Sequence, residues 1–163
     1  MIKFLSIALL FFSTLQAENL EEFPFLGLTA SQSKMNLDHV PSKTEKTFGF
    51  RYGKQTQDWR TMFTYSKNGD LKHVDVEIDQ ILKDNLFNTA KIRPYAGGVF
   101  GYISYDSASP TDDSGIYYGA TGGLLFYVTD EIDADLSYHY FNIDSFKPVK
   151  FMKGLTFSLH YFY

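Results

Sequence analysis

The sequence predicts an all-β chain: an eight-stranded antiparallel up-and-down transmembrane β-barrel, preceded by a signal peptide. Three observations carry this. In the last nine residues, Leu155, Phe157, Leu159, Tyr161 and Tyr163 are apolar or aromatic, and Thr156, Ser158 and His160 between them are polar. Only Phe162 breaks the alternation, and a period of two means a strand with one apolar and one polar face. A terminal Tyr-Phe-Tyr would be a sticky edge in a soluble sheet. A closing strand in a membrane instead meets lipid outside and a polar lumen inside. The second observation is the N-terminus, where Lys3 precedes a mostly apolar run from Phe4 to Leu15, then Gln16-Ala17 and an acidic stretch. This reads as a secretory signal peptide over residues 1–17, cut near Ala17, because the apolar run is short for a helical span of about 20 residues. The third is composition. Aromatics reach 18% and glycines number 12, yet beyond the signal the longest apolar run is Leu124–Val128. Such a chain suits strands in which only every second residue faces lipid.

The strands follow one another along residues 18–163, taken as one domain. The first is expected near Phe25–Ser33, with Leu26, Leu28 and Ala30 on one face. A polar stretch, Lys34–Glu45, separates it from the second, Lys46–Lys54, in which Phe48, Phe50 and Tyr52 alternate with polar residues and glycines. The third, Trp59–Ser66, has Trp59, Thr61, Phe63 and Tyr65 on one face and Arg60, Met62, Thr64 and Ser66 on the other. Asn68-Gly69 signals a tight hairpin into the fourth, Leu71–Ile81. There Val74, Val76 and Ile78 alternate with His73, Asp75, Glu77 and Asp79. A less regular connection, Leu82–Ile92, leads to the fifth strand, Arg93–Tyr105, whose outward face the pattern does not decide. An acidic, proline-containing loop, Asp106–Ser114, precedes the sixth, Ile116–Val128. The seventh is Ile132–Phe141 and the eighth Phe151–Tyr163, joined by Asn142–Lys150. Eight is an even number, as a single-chain barrel needs. Long and short connections should alternate between the two ends. The tight Asn-Gly turn falls on the long-loop side and the connection after the fourth strand is long, so the register of strands four and five stays open.

Net charge is −4, and more negative once Lys3 is removed, which argues against nucleic acid as a partner. The chain has no cysteine, hence no disulfide, thiolate metal site or lipidated cysteine. No cofactor is expected.

Tyr95–Tyr102 (YAGGVFGY), Tyr118–Phe126 (YGATGGLLF), Ile132–Tyr138 (IDADLSY) and the aromatic terminus occur in that order. With them the chain resembles the small eight-stranded outer-membrane barrels of the OmpA/OmpX type of Gram-negative bacteria. The resemblance implies outer-membrane localisation, contact with outer-membrane lipids and lipopolysaccharide, and insertion by the barrel-assembly machinery. That machinery reads the terminal strand, so the resemblance assigns an assembly signal to Leu155, Phe157, Leu159, Tyr161 and Tyr163. A closed barrel suits a monomer.

The candidate sites are few. Arg51, Arg60, Glu77, Asp79, Asp133, Asp135 and His160 all fall on polar faces. With a periplasmic N-terminus they crowd one end of a lumen only wide enough for side chains to fill it. Buried charges of both signs must pair, so they are expected as a structural ion-pair cluster; a narrow gated pore is the alternative. His139 has Ser137 and Asp135 on its face, and His160 has Ser158. Same-face neighbours on one strand are roughly 7 Å apart, too far for a nucleophile and its base, so no catalysis is expected. A lipid A-modifying enzyme remains an alternative, as does a soluble lipocalin-like barrel with its apolar face inside. Asp106, Asp112 and Asp113 could attract a hard cation, but their spacing specifies none. Trp59, Tyr52, Tyr65, Tyr118, Tyr138, Tyr140, Tyr161 and Tyr163 lie near strand ends, where membrane interfaces collect aromatics. The expected function is therefore a structural or surface-interaction role at the outer membrane.

Overall fold

In the computed structural model, residues 21–37, 42–69, 71–82, 89, 91–105, 113–144 and 149–163 are described. They form eight strands: β1 Phe23–Leu37, β2 Lys43–Gln55, β3 Trp59–Asn68, β4 Leu71–Ile81, β5 Ile92–Tyr105, β6 Asp113–Tyr127, β7 Ile132–Asp144 and β8 Val149–Phe162. Each strand pairs antiparallel with its neighbours in sequence, and β1 pairs with β8 as well as β2, so the sheet closes on itself. Closure leaves no strand edge, which is what allows every backbone amide to be satisfied without water. Leu28 faces Phe50 on one side and Leu159 on the other, which makes β8 the closing strand.

Alternation sets the two faces. Leu28 is 60% exposed, Phe50 67% and Phe100 61%, whereas Arg60, Asp79 and Asp135 are fully buried. Hydrophobic residues are outside and charges inside, the inverse of a soluble barrel. Trp59, Tyr52, Tyr65, Tyr118, Tyr138, Tyr140, Tyr161 and Tyr163, the aromatics expected at the membrane interfaces, all point outward. Along β2 the outward positions run Lys46, Phe48, Phe50, Tyr52, Lys54. Eight residue steps at about 3.3 Å, tilted by roughly 40°, give an apolar band about 20 Å tall.

The strands open to the sequence reading are now placed. In β5, Ala96, Gly98, Phe100 and Tyr102 face out, while Tyr95, Val99 and Ile103 are buried in the lumen. Register runs without a break from Leu71↔Tyr105 to Ile81↔Tyr95. The β3–β4 turn is indeed tight on the loop side: Asn68 pairs with Leu71. Gly69 takes φ +55°, a left-handed conformation that glycine adopts without Cβ strain. Regular alternation of loop length therefore does not hold in this barrel.

One expectation needs correcting. The lumen is not polar throughout. At the loop end, Met35, Leu71, Val99, Ile103, Tyr117, Phe141, Val149 and Met152 pack into an apolar layer. Toward the terminal end, Ile81, Tyr95 and Leu125 form a second, with Tyr127 against them. Burying these side chains contributes the ordinary hydrophobic stabilisation that a wholly charged plug would lack. The signal-peptide segment 1–17 and most of the connections 38–41, 83–90, 106–112 and 145–148 lie outside the described residues.

Candidate functional site

The charged lumen is built by strand register. Arg60 on β3 and Asp79 on β4 are direct cross-strand partners. Both Nε and Nη2 of Arg60 donate to Asp79 Oδ2, at 3.0 and 2.8 Å. Arg60 Nη2 also reaches across the barrel to Asp135 Oδ2 on β7, at 2.8 Å. Asp135 is the hub: it accepts from Tyr95 Oη at 2.9 Å and faces Arg51 Nη1 at 3.4 Å. Arg51 Nη2 in turn lies 3.6 Å from Glu77 Oε2. The Arg60 guanidinium sits 4.5 Å from the centre of the Tyr95 ring, a cation–π contact that also caps it. Two guanidinium groups thus hold three carboxylates, all buried. Such charge-assisted contacts are short and strong, and the alternative, an unpaired buried charge, is costly.

The seven sequence-predicted residues do not form a single cluster. Arg51, Arg60, Glu77, Asp79 and Asp135 join in one network. Asp133 and His160 are opposite each other on β7 and β8 and form a separate pair, Nδ1 to Oδ1 2.7 Å, with the imidazole against the Phe25 ring. Glycine makes room for both groups. A Cβ on Gly97 would run into the Asp79 carboxylate and the Ile78 carbonyl oxygen. One on Gly27 would strike the His160 ring.

Four polar contacts are not legible in the sequence, because most of them join strands that are not consecutive in the chain. Tyr117 donates to Asp75 Oδ2 at 2.6 Å. His139 lies 2.9 Å from Ser33 Oγ and 3.2 Å from Thr156 Oγ1. Ser158 donates to Thr29 at 3.0 Å. Around them is a cavity of about 50 Å³, lined by hydroxyls and by Arg51, Glu77, His73 and His139. That volume admits one or two waters, and polar atoms without a protein partner, such as Arg51 Nε and Glu77 Oε1, adjoin it. Among the described residues, the hydrogen-bond partners of His139 are the hydroxyls of Ser33 and Thr156. Among the described residues no group of His, Asp and Glu is placed to hold a metal ion. Asp106 and Asp112 of the acidic loop lie outside the described residues.

An apolar exterior rimmed with aromatics, wrapped around a closed eight-strand sheet with an ion-paired interior, is now complete as a geometry. The fold is that of the small eight-stranded outer-membrane barrels. Neisserial surface protein A (NspA) superimposes with a TM-score of 0.66 at 20% identity, over 86% of this chain and 97% of that one. The N-terminal barrel of Pseudomonas aeruginosa OprF gives 0.59 at 14% identity, over 86% and 100%. Ail, the attachment invasion locus protein of Yersinia pestis, gives 0.54 at 16%, over 88% and 100%. No protein-family model matches the sequence, and no curated protein matches it in sequence. The likeness therefore lies in backbone architecture. β8 presents Leu155, Phe157, Leu159 and Tyr161 outward, and Tyr163 follows them at the end of the strand.

Proposed function

We propose that this protein is an integral outer-membrane barrel that braces the membrane and displays its loops, rather than a conduit or an enzyme. The observation that carries this reading is the inverted distribution of side chains: Phe50, Phe100 and Leu28 exposed, Arg60, Asp79 and Asp135 wholly buried. Only a nonpolar solvent around the barrel makes that arrangement favourable. The neighbouring folds support it, since NspA is a surface protein and Ail an attachment invasion locus protein. The ends of β1 and β8 at Phe23 and Phe162 would lie on the periplasmic side, and the ends of β1, β5 and β7 at Leu37, Tyr105 and Asp144 toward the outside of the cell. The deciding experiment is cell fractionation combined with gel mobility. The protein is expected in the outer membrane and should migrate faster unheated than boiled. Recovery in the soluble periplasmic fraction would refute the reading.

The apolar layers at both ends of the lumen argue against conduction. Planar bilayers containing the purified barrel should stay silent, and discrete conductance steps abolished by Glu77→Ala would favour the pore instead. Overexpression should leave the lipid A mass profile unchanged; a new species lost in His139→Ala would favour the enzyme. Assembly depends on the outward row that ends at Tyr163. Deleting Tyr163 should lower the heat-modifiable fraction in cells without altering a barrel refolded in detergent. Equal assembly of the truncated chain would remove the assembly signal from these residues.

A further inference from the structure

The inward face changes character at the terminal end of the barrel, where the lumen meets water. Ion pairs and hydroxyls fill the middle, yet the inward positions nearest this end are aromatic on three strands: Phe23 on β1, Tyr127 on β6 and Phe162 on β8. Phe162 is the residue that breaks the alternation of the terminal strand. On the inward phase these rings do not face lipid, so neither the membrane band nor the outward row of β8 accounts for them. Phe23 is 50% exposed. Together the three rings wall a pocket of about 530 Å³, within the range of roughly 300–1,000 Å³ usual for small-ligand sites. Behind Tyr127 the apolar layer of Ile81, Tyr95 and Leu125 begins, so the pocket is blind on its lumen side.

The polar groups of the pocket are specific. Gln55, the cross-strand partner of Phe23, is only 7% exposed. Its Nε2 donates to Tyr127 Oη at 3.2 Å, and Oε1 has no partner among the described residues. A buried amide has two ends to satisfy, and leaving one unmet costs free energy. This one lies on the pocket wall, where a ligand can meet it. Arg93 lines the same pocket, its guanidinium held by the carbonyl oxygens of Gln57 at 2.8 Å and Leu82 at 3.4 Å. Glu21 and Asp130, both exposed, complete the lining.

This mixture selects a ligand class. A polyanion would be repelled by Glu21 and Asp130, and a wholly apolar molecule would leave Gln55 unmet. A short peptide supplies every counterpart: an ammonium for the carboxylates, a carboxylate for Arg93, a backbone N–H for Gln55 Oε1 and an apolar side chain for the rings. We propose that the terminal mouth of the barrel is a binding pocket for short free peptides of the periplasm, held there without passing through the lumen. The proposal rests on the outer-membrane reading above, which turns this mouth to the periplasm, and adds a ligand to it.

The test is calorimetric titration of the refolded, heat-modifiable barrel in neutral detergent with the unblocked tripeptide alanyl-phenylalanyl-alanine. The wild type should bind it, and should bind the same peptide acetylated and amidated at its ends at least about tenfold more weakly, as the loss of charge-assisted hydrogen bonds implies. Gln55→Leu and Arg93→Gln should each weaken binding of the unblocked peptide by about tenfold. Lys153→Gln, on the outer face at the loop end, should leave it unchanged. Equal affinity for the blocked peptide, a comparable affinity for a neutral trisaccharide, or full binding by Gln55→Leu would overturn the proposal; the first two comparisons use the wild type alone and do not depend on a variant folding. A barrel that fractionates with outer membranes but fails these titrations would refute the pocket alone, whereas a soluble protein would refute the reading beneath it.

Discussion

Arg60→Ala is expected to cost about 3–5 kcal/mol of unfolding free energy, the usual penalty for removing one partner of a buried ion pair. The variant strands Asp79, whose hydrogen bonds from Arg60 are both to Oδ2, and takes one of the cations from Asp135. Urea unfolding of the refolded barrel, followed by its single tryptophan, Trp59, measures the loss. The neighbouring alternative separates charge from packing. Arg60→Met combined with Asp79→Leu removes both members of the direct pair, and should recover much of the stability lost in Arg60→Ala. If Arg60→Ala unfolds like the wild type, lumen water solvates these groups and the network is not structural.

Gly97→Val is the second large effect. Gly97 on β5 is the cross-strand partner of Asp79, and its missing side chain is the space the carboxylate occupies. A Cβ there meets both that carboxylate and the Ile78 carbonyl, so the backbone must shift or Asp79 must leave Arg60. Overpacking alone costs typically 1–3 kcal/mol, and breaking the ion pair adds to it, giving about 3 kcal/mol or more. The two variants should be strongly non-additive, because both act through the Arg60–Asp79 contact. Additive losses in the double variant would mean that Gly97 matters only for the β4–β5 backbone.

The exterior was more legible in the sequence than the interior, for a geometric reason. Alternation assigns a residue to a face, and in β4 the alternating segment Leu71–Ile81 coincides with the strand itself. It cannot tell how high a residue stands or what lies across the lumen. Phe141 and Met152 sit on the inward phase and, read singly, are breaks in a polar row. Only the shear of the closed barrel gathers such residues into layers. β5 was ambiguous for a related reason: its inward row carries Tyr95, Val99 and Ile103, so both faces read as apolar. The Arg60–Asp79 contact was within reach of the sequence, since a two-residue turn after Asn68 sets those two opposite each other. Asp133 opposite His160 was not, because their strands are joined by a longer loop. Strand ends also extended beyond the predicted ones, β1 to Leu37 and β7 to Asp144, since ladder hydrogen bonds continue where the polar–apolar pattern fades.

The tight β3–β4 turn has a consequence for the order of events. It brings Arg60 and Asp79 together across only 19 residues, so this pair can form as soon as the hairpin does. The next partner of the same guanidinium, Asp135, arrives from 75 residues away. Local contacts form quickly and distant ones wait on loop closure. Arg60 therefore enters the closing barrel already half neutralised, in a hairpin of low net charge that can approach the membrane. Asp135 keeps its need for water until β7 swings round, and the sheet can become dry inside only once the last strand has joined.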